Sequence, residues 1–152
     1  MKRNFLSATV ICLALFVGLN SFSSRTDNAN LVSDILSLTN QFRKSEGLPE
    51  LIMKQQLNAL AQKHSVDMAR GLVAFGHAGF GEREAKAQRE IEGLYSFAEN
   101  VAYGVNSADE VVTMWKNSPG HRRNMLGPYK YVGIGTAKDS KGQIYFTEIF
   151  GG

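Results

Sequence analysis

Hydrophobic positions recur at helical spacing in two stretches of the first half of the chain. The first stripe consists of Leu31, Ile35, Leu38 and Phe42. It predicts an amphipathic helix that ends at Gly47. The second stripe consists of Leu57, Leu60, Ala61 and Met68. It predicts a helix from about Gln55 to Arg70, and His64 falls on its apolar face. We therefore interpret His64 as a buried, hydrogen-bonded core histidine rather than a ligand.

The pattern weakens from Gly71 to Leu94. The segment "GLVAFGHAGFG" is glycine-rich and irregular, and it contains His77. The next segment, "EREAKAQREIEG", is charged on most faces and predicts a solvated helix of little functional interest. The segment "SFAENVAYGV" predicts a loop that leads into a short strand, with Glu99 and Asn100 where the strand starts.

The strongest helix signal follows this strand. Ser107 to Glu110 form a capping-box pattern, in which Ser and Glu each accept a hydrogen bond from a backbone N–H at the helix start. The next stretch, "NSPGHRRNMLG", predicts a short helix with Ser118 as the N-cap and Pro119 at the first helical position. These local rules leave His121 unexplained.

Two stretches of strand type close the chain. The segments "YVGIGTA" and "QIYFTEIF" are separated by the polar loop "KDSKGQ" and predict an antiparallel hairpin. Alternation in the second strand assigns Ile144, Phe146, Glu148 and Phe150 to one face, and Tyr145, Thr147 and Ile149 to the other. Helices and strands within one small domain predict an α+β fold, with helices packed on a mainly antiparallel sheet.

The first 23 residues differ in kind from the rest. Lys2 and Arg3 precede the apolar run "LSATVICLALFVGL", and small polar residues follow it. This order predicts a secretory signal peptide over residues 1–23, and hence a secreted or envelope protein. An uncleaved N-terminal anchor is the alternative, although a membrane span needs about 20 apolar residues. Residues 24–30 are polar and predict a flexible arm before the domain, residues 31–152.

Composition narrows the class of protein. The chain has 152 residues, of which 43% are hydrophobic, and this is typical of one soluble domain. Cleavage of the leader reduces the 17 basic residues to 15, against 14 acidic ones. No basic run is interleaved with aromatics, so we expect no nucleic-acid partner. The mature chain also loses Cys12, its only cysteine. It therefore has no disulfide, no cysteine nucleophile and no expected membrane span.

Three side chains in separate segments are candidates for chemistry: His77, Glu99 and His121. Two histidines and a glutamate would give zinc or another divalent cation three ligands and leave a fourth position for water. The separations of 22 residues match no local metal motif. Glu99 and Asn100 also admit a structural role, in which they bind backbone N–H groups of nearby loops. The position of His121 near a helix start favours its neutral form. A serine nucleophile at Ser118 lacks the G-x-S-x-G turn.

The order of these motifs resembles the CAP superfamily, or SCP domain, named for cysteine-rich secretory proteins, antigen 5 and pathogenesis-related proteins. The chain is most similar to its short, cysteine-poor bacterial branch. The matching segments lie between Leu31 and Gly151 and are "FGHAGF", "AENVAYG", "VVTMWKNSPGHRRNML", "YVGIGTA" and the closing "IFG".

The resemblance implies a three-layer α-β-α sandwich with a surface cleft. His77, Glu99 and His121 would line that cleft, with Asn100 and Asn124 beside them. Some members bind zinc or another divalent ion through such residues, so the resemblance implies His77, His121 and Glu99 as metal ligands. Eukaryotic members carry a second glutamate where this chain has Ser118. Glu148 is our candidate to replace it.

Three functions remain open at this point. The leading hypothesis is a secreted module without enzymatic activity that binds an extracellular ligand, which is a lipid, a peptide or a cell-wall component. The alternative is a metal-dependent hydrolase with Glu99 as the catalytic candidate, and with His77 and His121 holding the ion that activates water. The third is a non-enzymatic stress or defence factor whose cleft residues stabilise loops.

Overall fold

The computed structural model describes the backbone from residue 19 and the side chains from residue 28, up to residue 152. Most of the predicted signal peptide, residues 1–18, therefore lies outside the described residues. The elements in chain order are α1 (Leu19–Ser45), β1 (Ile52–Met53), α2 (Gln55–Ala69), α3 (Phe80–Glu90), β2 (Phe97–Tyr103), α4 (Ala108–Asn117), α5 (Pro119–Met125), β3 (Tyr131–Lys138) and β4 (Ile144–Gly151). No helix in this part of the chain is long and apolar enough to cross a membrane.

The four strands form one sheet in the order β1-β3-β4-β2. The predicted β3–β4 hairpin is confirmed, and β2 pairs with β4 antiparallel. The sheet is mixed rather than mainly antiparallel, because β1 pairs with β3 in parallel. The sequence did not predict β1, since a strand of two residues is too short to show an alternating pattern.

Helices cover both faces of this sheet, which confirms the three-layer α-β-α sandwich. On one face α1, α4 and α5 enclose a core that includes Ile35, Phe42, Val111, Trp115, Met125, Phe146 and Phe150. On the other face α2 and α3 enclose a second core of Leu57, Leu60, Ala61, Ala87, Ile91, Leu94 and Ile149. The side chains of β4 alternate between the two cores, as the sequence predicted.

The helix α1 starts earlier than the sequence predicted. Residues 24–30, expected to form a flexible arm, continue its helical backbone. No proline or glycine interrupts Leu19–Ser45, and the early part of the helix contacts the sheet. The Thr136 hydroxyl donates a hydrogen bond of 3.2 Å to Asn28 Oδ1. This tertiary contact is not visible in the local sequence, where only polar residues are seen.

Two glycines of β3 allow α2 to lie directly on the sheet. A Cβ at Gly135 would fall on the backbone of Ala61 and Gln62, and one at Gly133 would fall on the backbone of Leu57 and Asn58. Only glycine fits where two backbones approach this closely. The same helix carries His64, so the close packing of α2 on β3 also positions this buried histidine.

We expect Gly135→Ala to destabilise the protein by at least about 2 kcal/mol, because the added methyl group must push α2 away from β3. Urea unfolding of both proteins measures this difference. Gly81→Ala is the matched control, since Gly81 lies in α3 with open space around its Cβ position. The control should be neutral or slightly stabilising. Equal stabilities for Gly135→Ala and the wild type would contradict the close approach.

Candidate functional site

The strand β2 forms one edge of the sheet and carries two of the predicted site residues. Glu99 and Asn100 pair with Ile149 and Glu148 of β4. They therefore lie within the strand. The sequence had predicted them at its start. Neighbouring side chains of a strand point to opposite faces. Glu99 accordingly contacts the α2/α3 layer, and Asn100 contacts α5.

A largely covered arginine, Arg83, holds the Glu99 carboxylate. Arg83 Nε donates to Glu99 Oε2 and Arg83 Nη2 donates to Oε1, both at 2.7 Å. The Glu99 side chain has no exposed surface and that of Arg83 is 12% exposed. Bidentate, charge-assisted pairs of this kind compensate the cost of burying a carboxylate. Arg83 lies on α3, which the sequence predicted to be a solvated helix. This is wrong for the inward side of the helix, where Arg83 is largely covered and Ala87 is buried.

His77 is oriented by the same carboxylate. Its Nδ1 lies 2.9 Å from Glu99 Oε1. A carboxylate oxygen only accepts hydrogen bonds, so His77 donates through its Nδ1–H. The His77 side chain is 50% exposed. Glu99 thus fixes the orientation of a solvent-accessible imidazole, as carboxylates do for histidines that bind or react through their other nitrogen.

His64 holds the loop that carries His77. Its Nε2 lies 2.8 Å from the carbonyl oxygen of Gly76 and 3.8 Å from Glu99 Oε1. Burial lowers the pKa of His64, which favours the neutral ring with Nε2 as the donor. Gly76 has φ of +133°, a conformation that side chains disfavour. The structure confirms His64 as a buried, hydrogen-bonded core histidine, and shows that it anchors this loop.

Asparagines join α5 to the free edge of β2. Asn124 Nδ2 donates to Glu99 O at 3.2 Å and to Asn100 Oδ1 at 2.9 Å. Asn100 Nδ2 in turn donates to His121 O at 3.2 Å. These bonds satisfy outward-facing polar groups of an edge strand. Together with the His77–Glu99 bond they connect all five predicted residues, which we call the histidine site: His77, Glu99, Asn100, His121 and Asn124. His121 joins through its backbone carbonyl and not through its imidazole.

His121 lies at the third position of α5, close enough to His77 for the charge of one ring to affect the other. Burial lowers the pKa of His121, and the charge of His77 lowers it further. Its Nδ1 is buried and has no hydrogen-bond partner within residues 28–152. The neutral form was also expected from its place near the helix start. Ser118 occupies the N-cap position of α5, but its side chain caps no backbone N–H.

A second buried arginine fixes the far end of α5. Arg43 on α1 is 1% exposed and donates to Met125 O at 2.7 Å and Gly127 O at 2.9 Å. A cation at the C-terminal carbonyls of a helix is favourable. Sequence reasoning overlooked Arg43 and Arg83. The available signals were weak: Arg43 follows the apolar Phe42, and Arg83 precedes the buried Ala87 by one helical turn.

These contacts bear on the predicted metal ligands. Arg83 and His77 already donate three hydrogen bonds to the Glu99 oxygens, so the arrangement does not fit a three-ligand centre that includes Glu99. Within residues 28–152 no group of three or more His, Cys, Asp or Glu side chains is placed to hold a metal. Two imidazoles, His77 and His121, remain as candidate ligands.

Glu148 lies in the core rather than in the histidine site. Its side chain is fully buried on the α1 face, where the Thr39 hydroxyl donates to Oε1 at 2.9 Å. Its Oε2 has no partner within residues 28–152. Burial raises the pKa of Glu148 to about 8. It therefore does not take the place of the second glutamate.

A three-layer sandwich with a buried glutamate on its edge strand, and with histidines on the loop and the helix that flank this strand, is the arrangement of a CAP, or SCP, domain. The chain belongs to the family described as "CAP: Cysteine-rich secretory protein family", whose model matches residues 36–150. Cys12, the only cysteine, lies outside the matched region.

The chain is similar to bacterial members of this family. It is 30% identical over 120 residues to the uncharacterized protein YkwD of Bacillus subtilis, covering 77% of this chain and 46% of that protein. The chain thus spans less than half the length of this relative. An extracellular protein containing an SCP domain from Bacillus anthracis shares 28% identity and a TM-score of 0.69, over 81% of this chain and 40% of that one. An outer surface protein from Borrelia burgdorferi has the same fold, with 21% identity and a TM-score of 0.68, over 77% of this chain and 88% of that one.

Proposed function

We propose that the protein is a secreted CAP module that binds an extracellular ligand or partner and has no catalytic activity of its own. The observation that carries this proposal is the Arg83–Glu99–His77 cluster, in which a buried carboxylate holds one imidazole rigidly at the surface. Location outside the cell is supported by the leader-like first 23 residues. The extracellular and outer-surface proteins that share the fold also support it.

The hydrolase alternative requires a free base, and the geometry disfavours Glu99 in that role. Both of its oxygens already accept hydrogen bonds, two from Arg83 and one from His77. A general base must lie within hydrogen-bond reach of the proton that it removes. Glu99 faces its partners inside the protein, so substrate would have to displace a guanidinium to reach it. A binding role needs no such rearrangement.

A cavity beside the cluster offers space for a ligand. It has a volume of about 400 Å³, within the range of small-molecule sites, and it lies between α2 and α3. His64 and Arg83 form part of its wall, as do the apolar Leu60, Val73 and Ala78. Charged side chains also line it, namely Lys63, Asp67, Glu82 and Lys86. Apolar wall combined with charges of both signs suits an amphipathic ligand. A lipid, a peptide or a cell-wall component remains the proposed ligand class.

Ala78→Trp tests the cavity as the ligand site. The indole should fill the cavity, because Ala78 lies on its wall in an exposed position. Wild-type protein is mixed with oleate, a hexapeptide library or solubilised cell-wall fragments and measured by native mass spectrometry. We expect one of these to bind, and Ala78→Trp to reduce the bound fraction at least about tenfold.

Ala74→Trp is the matched control, since Ala74 is an exposed alanine of the same loop and does not line the cavity. It should bind as the wild type does. The proposal fails if no probe binds the wild type, or if both tryptophan variants bind equally. Turnover of any probe by the wild type and not by Glu99→Gln would instead establish the hydrolase.

We also propose metal binding, with two ligands instead of the three that the resemblance implied. His77 and His121 would hold a zinc or other divalent ion, without Glu99 while Arg83 is present. Two ligands leave most of the preferred four-fold coordination of zinc to water. Binding should therefore be weak in the wild type.

A further inference from the structure

An aromatic platform lies at the opposite end of β2 from Phe97. Tyr103, the last residue of β2, pairs directly with Tyr145 of β4. The two rings are nearly parallel, at 11°, with centroids 5.6 Å apart. The rings of Phe75 and Tyr103 are inclined at 60° to each other, with centroids 4.6 Å apart. Tyr103 is 48% exposed and Phe75 is 47% exposed, so neither ring belongs to the cores.

Polar side chains surround this platform. Tyr103 and Tyr145 form the aromatic part of a surface depression with a volume of about 400 Å³. The remaining lining residues are Asn106, Asp139, Lys141, Gly142 and Gln143. They come from the loop after β2 and from the β3–β4 hairpin loop. The depression therefore combines flat apolar surface with amide, carboxylate and ammonium groups.

Both loops are held in place by local hydrogen bonds. Asp139 Oδ1 accepts from the backbone N–H of Lys141 at 2.8 Å and from that of Gln143 at 2.9 Å. The backbone N–H of Asn106 donates to Glu110 Oε2 at 2.7 Å. Groups that are already ordered lose little entropy when they bind a ligand. Within residues 28–152 both side-chain bonds of Asp139 go to Oδ1, so its Oδ2 can accept from a ligand.

We propose that this depression binds a pyranose ring of a polysaccharide. The C–H faces of a pyranose are flat and apolar and can stack on the tyrosine rings, which expose large rigid surfaces at low entropic cost. Its hydroxyl groups both donate and accept. Asp139 Oδ2 can accept from one hydroxyl, and the Asn106 and Gln143 amides and the Lys141 ammonium can donate to others.

The polar side chains that line the depression favour a saccharide over the other classes of ligand that stack on aromatic rings. A proline-rich peptide also stacks on aromatic rings. It offers chiefly carbonyl acceptors, which cannot bond to the Asp139 carboxylate. A lipid chain offers no hydrogen bonds at all. The platform also has no lining residue in common with the cavity between α2 and α3. The two proposed sites can therefore succeed or fail separately.

Oligosaccharide titration tests the inference. The full chain is titrated with cellotetraose and with tetra-N-acetylchitotetraose, and binding is measured by saturation-transfer NMR and isothermal calorimetry. We expect the wild type to bind one of the two and Tyr103→Ala to weaken that binding at least about tenfold. Tyr103→Phe keeps the ring and should retain most of the affinity. Asp139→Asn should weaken binding, while its amide oxygen still accepts from the hairpin backbone.

Tyr95→Ala is the matched control, because Tyr95 is 88% exposed and precedes β2 at its other end. It should bind as the wild type does. The inference is overturned if neither tetrasaccharide binds the wild type at about 10 mM, a concentration that would fill about nine-tenths of a site with a Kd of about 1 mM. It is also overturned if Tyr103→Ala and Tyr95→Ala bind equally, or if only a proline-rich decapeptide binds in a Tyr103-dependent way. Far-ultraviolet circular dichroism confirms that each variant is folded.

Discussion

Glu148→Gln should stabilise the protein by about 3 kcal/mol at pH 7 and by about 5 kcal/mol at pH 9, with little effect at pH 4. Burial is the main cause of the raised pKa of Glu148, about 8, and it outweighs the opposing effects of the Thr39 hydrogen bond and the Arg43 charge. Glutamine has the same shape as the protonated carboxyl. Its Oε1 can still accept from the Thr39 hydroxyl.

The direction follows from proton binding. The pKa of Glu148 is about 8 in the folded protein, above its ordinary value of 4.5. Between these two values the folded state holds a proton that the unfolded state releases. Stability contributed by this group is therefore complete below about pH 4.5 and is lost as pH rises towards 8. Glutamine does not titrate, so Glu148→Gln does not lose this stability. The difference in stability between the variant and the wild type therefore grows with pH.

Two histidines determine how the stability of the protein changes with pH on the acid side. Burial lowers the pKa of both His64 and His121. The unfolded state then binds protons more readily, and stability falls as pH drops below about 6.5. This acid limb should be the same in the wild type and in Glu148→Gln. The difference between the two proteins therefore isolates Glu148.

Urea unfolding at pH 4, 7 and 9 measures these differences. Glu50→Gln is the control, because Glu50 is exposed and the same charge is removed at the surface. It should change stability by no more than about 0.5 kcal/mol at any pH. A Glu148→Gln advantage that does not vary with pH would show that Glu148 is ionised in the folded protein.

Elements with a continuous apolar stripe could be predicted from the sequence. The helix α2, the helix α4 and the β3–β4 hairpin have local periodicity that reports which side faces the core. The strand β1 and the first turns of α1 could not be predicted. Their positions depend on partners far along the chain: β1 pairs with Tyr131 and Val132, and Asn28 contacts Thr136.

The candidate site was predictable only in part, and for a similar reason. The resemblance selected His77, Glu99 and His121, which no spacing rule connects. Strand alternation would place Glu99 and Asn100 on opposite faces once β2 is known to span Phe97–Tyr103. Arg83 was missed because its partner lies 16 residues away on another element. A helix that is charged on most faces does not show which of its charges is buried.

Arg83→Met should cost about 3–5 kcal/mol of stability, because it leaves the buried Glu99 carboxylate without its main cation. Methionine retains the length and much of the apolar packing of the arginine stem, so the loss reports chiefly on the charge. Glu99→Gln in the Arg83→Met background should recover most of the stability, since no ion then remains unpaired. Arg89→Met, on the exposed part of the same helix, should be nearly neutral.

Zinc response of the same variants tests the metal proposal. Arg83 donates to both Glu99 oxygens in the wild type, and its removal frees a carboxylate beside His77. A zinc ion can then supply the missing positive charge. Zinc at 0.1 mM should raise the free energy of unfolding of Arg83→Met by at least about 1 kcal/mol more than that of the wild type. Arg83→Met/Glu99→Gln should show no such gain. If zinc instead stabilises the wild type as much as or more than Arg83→Met, the guanidinium does not limit metal binding and this account of the site is wrong.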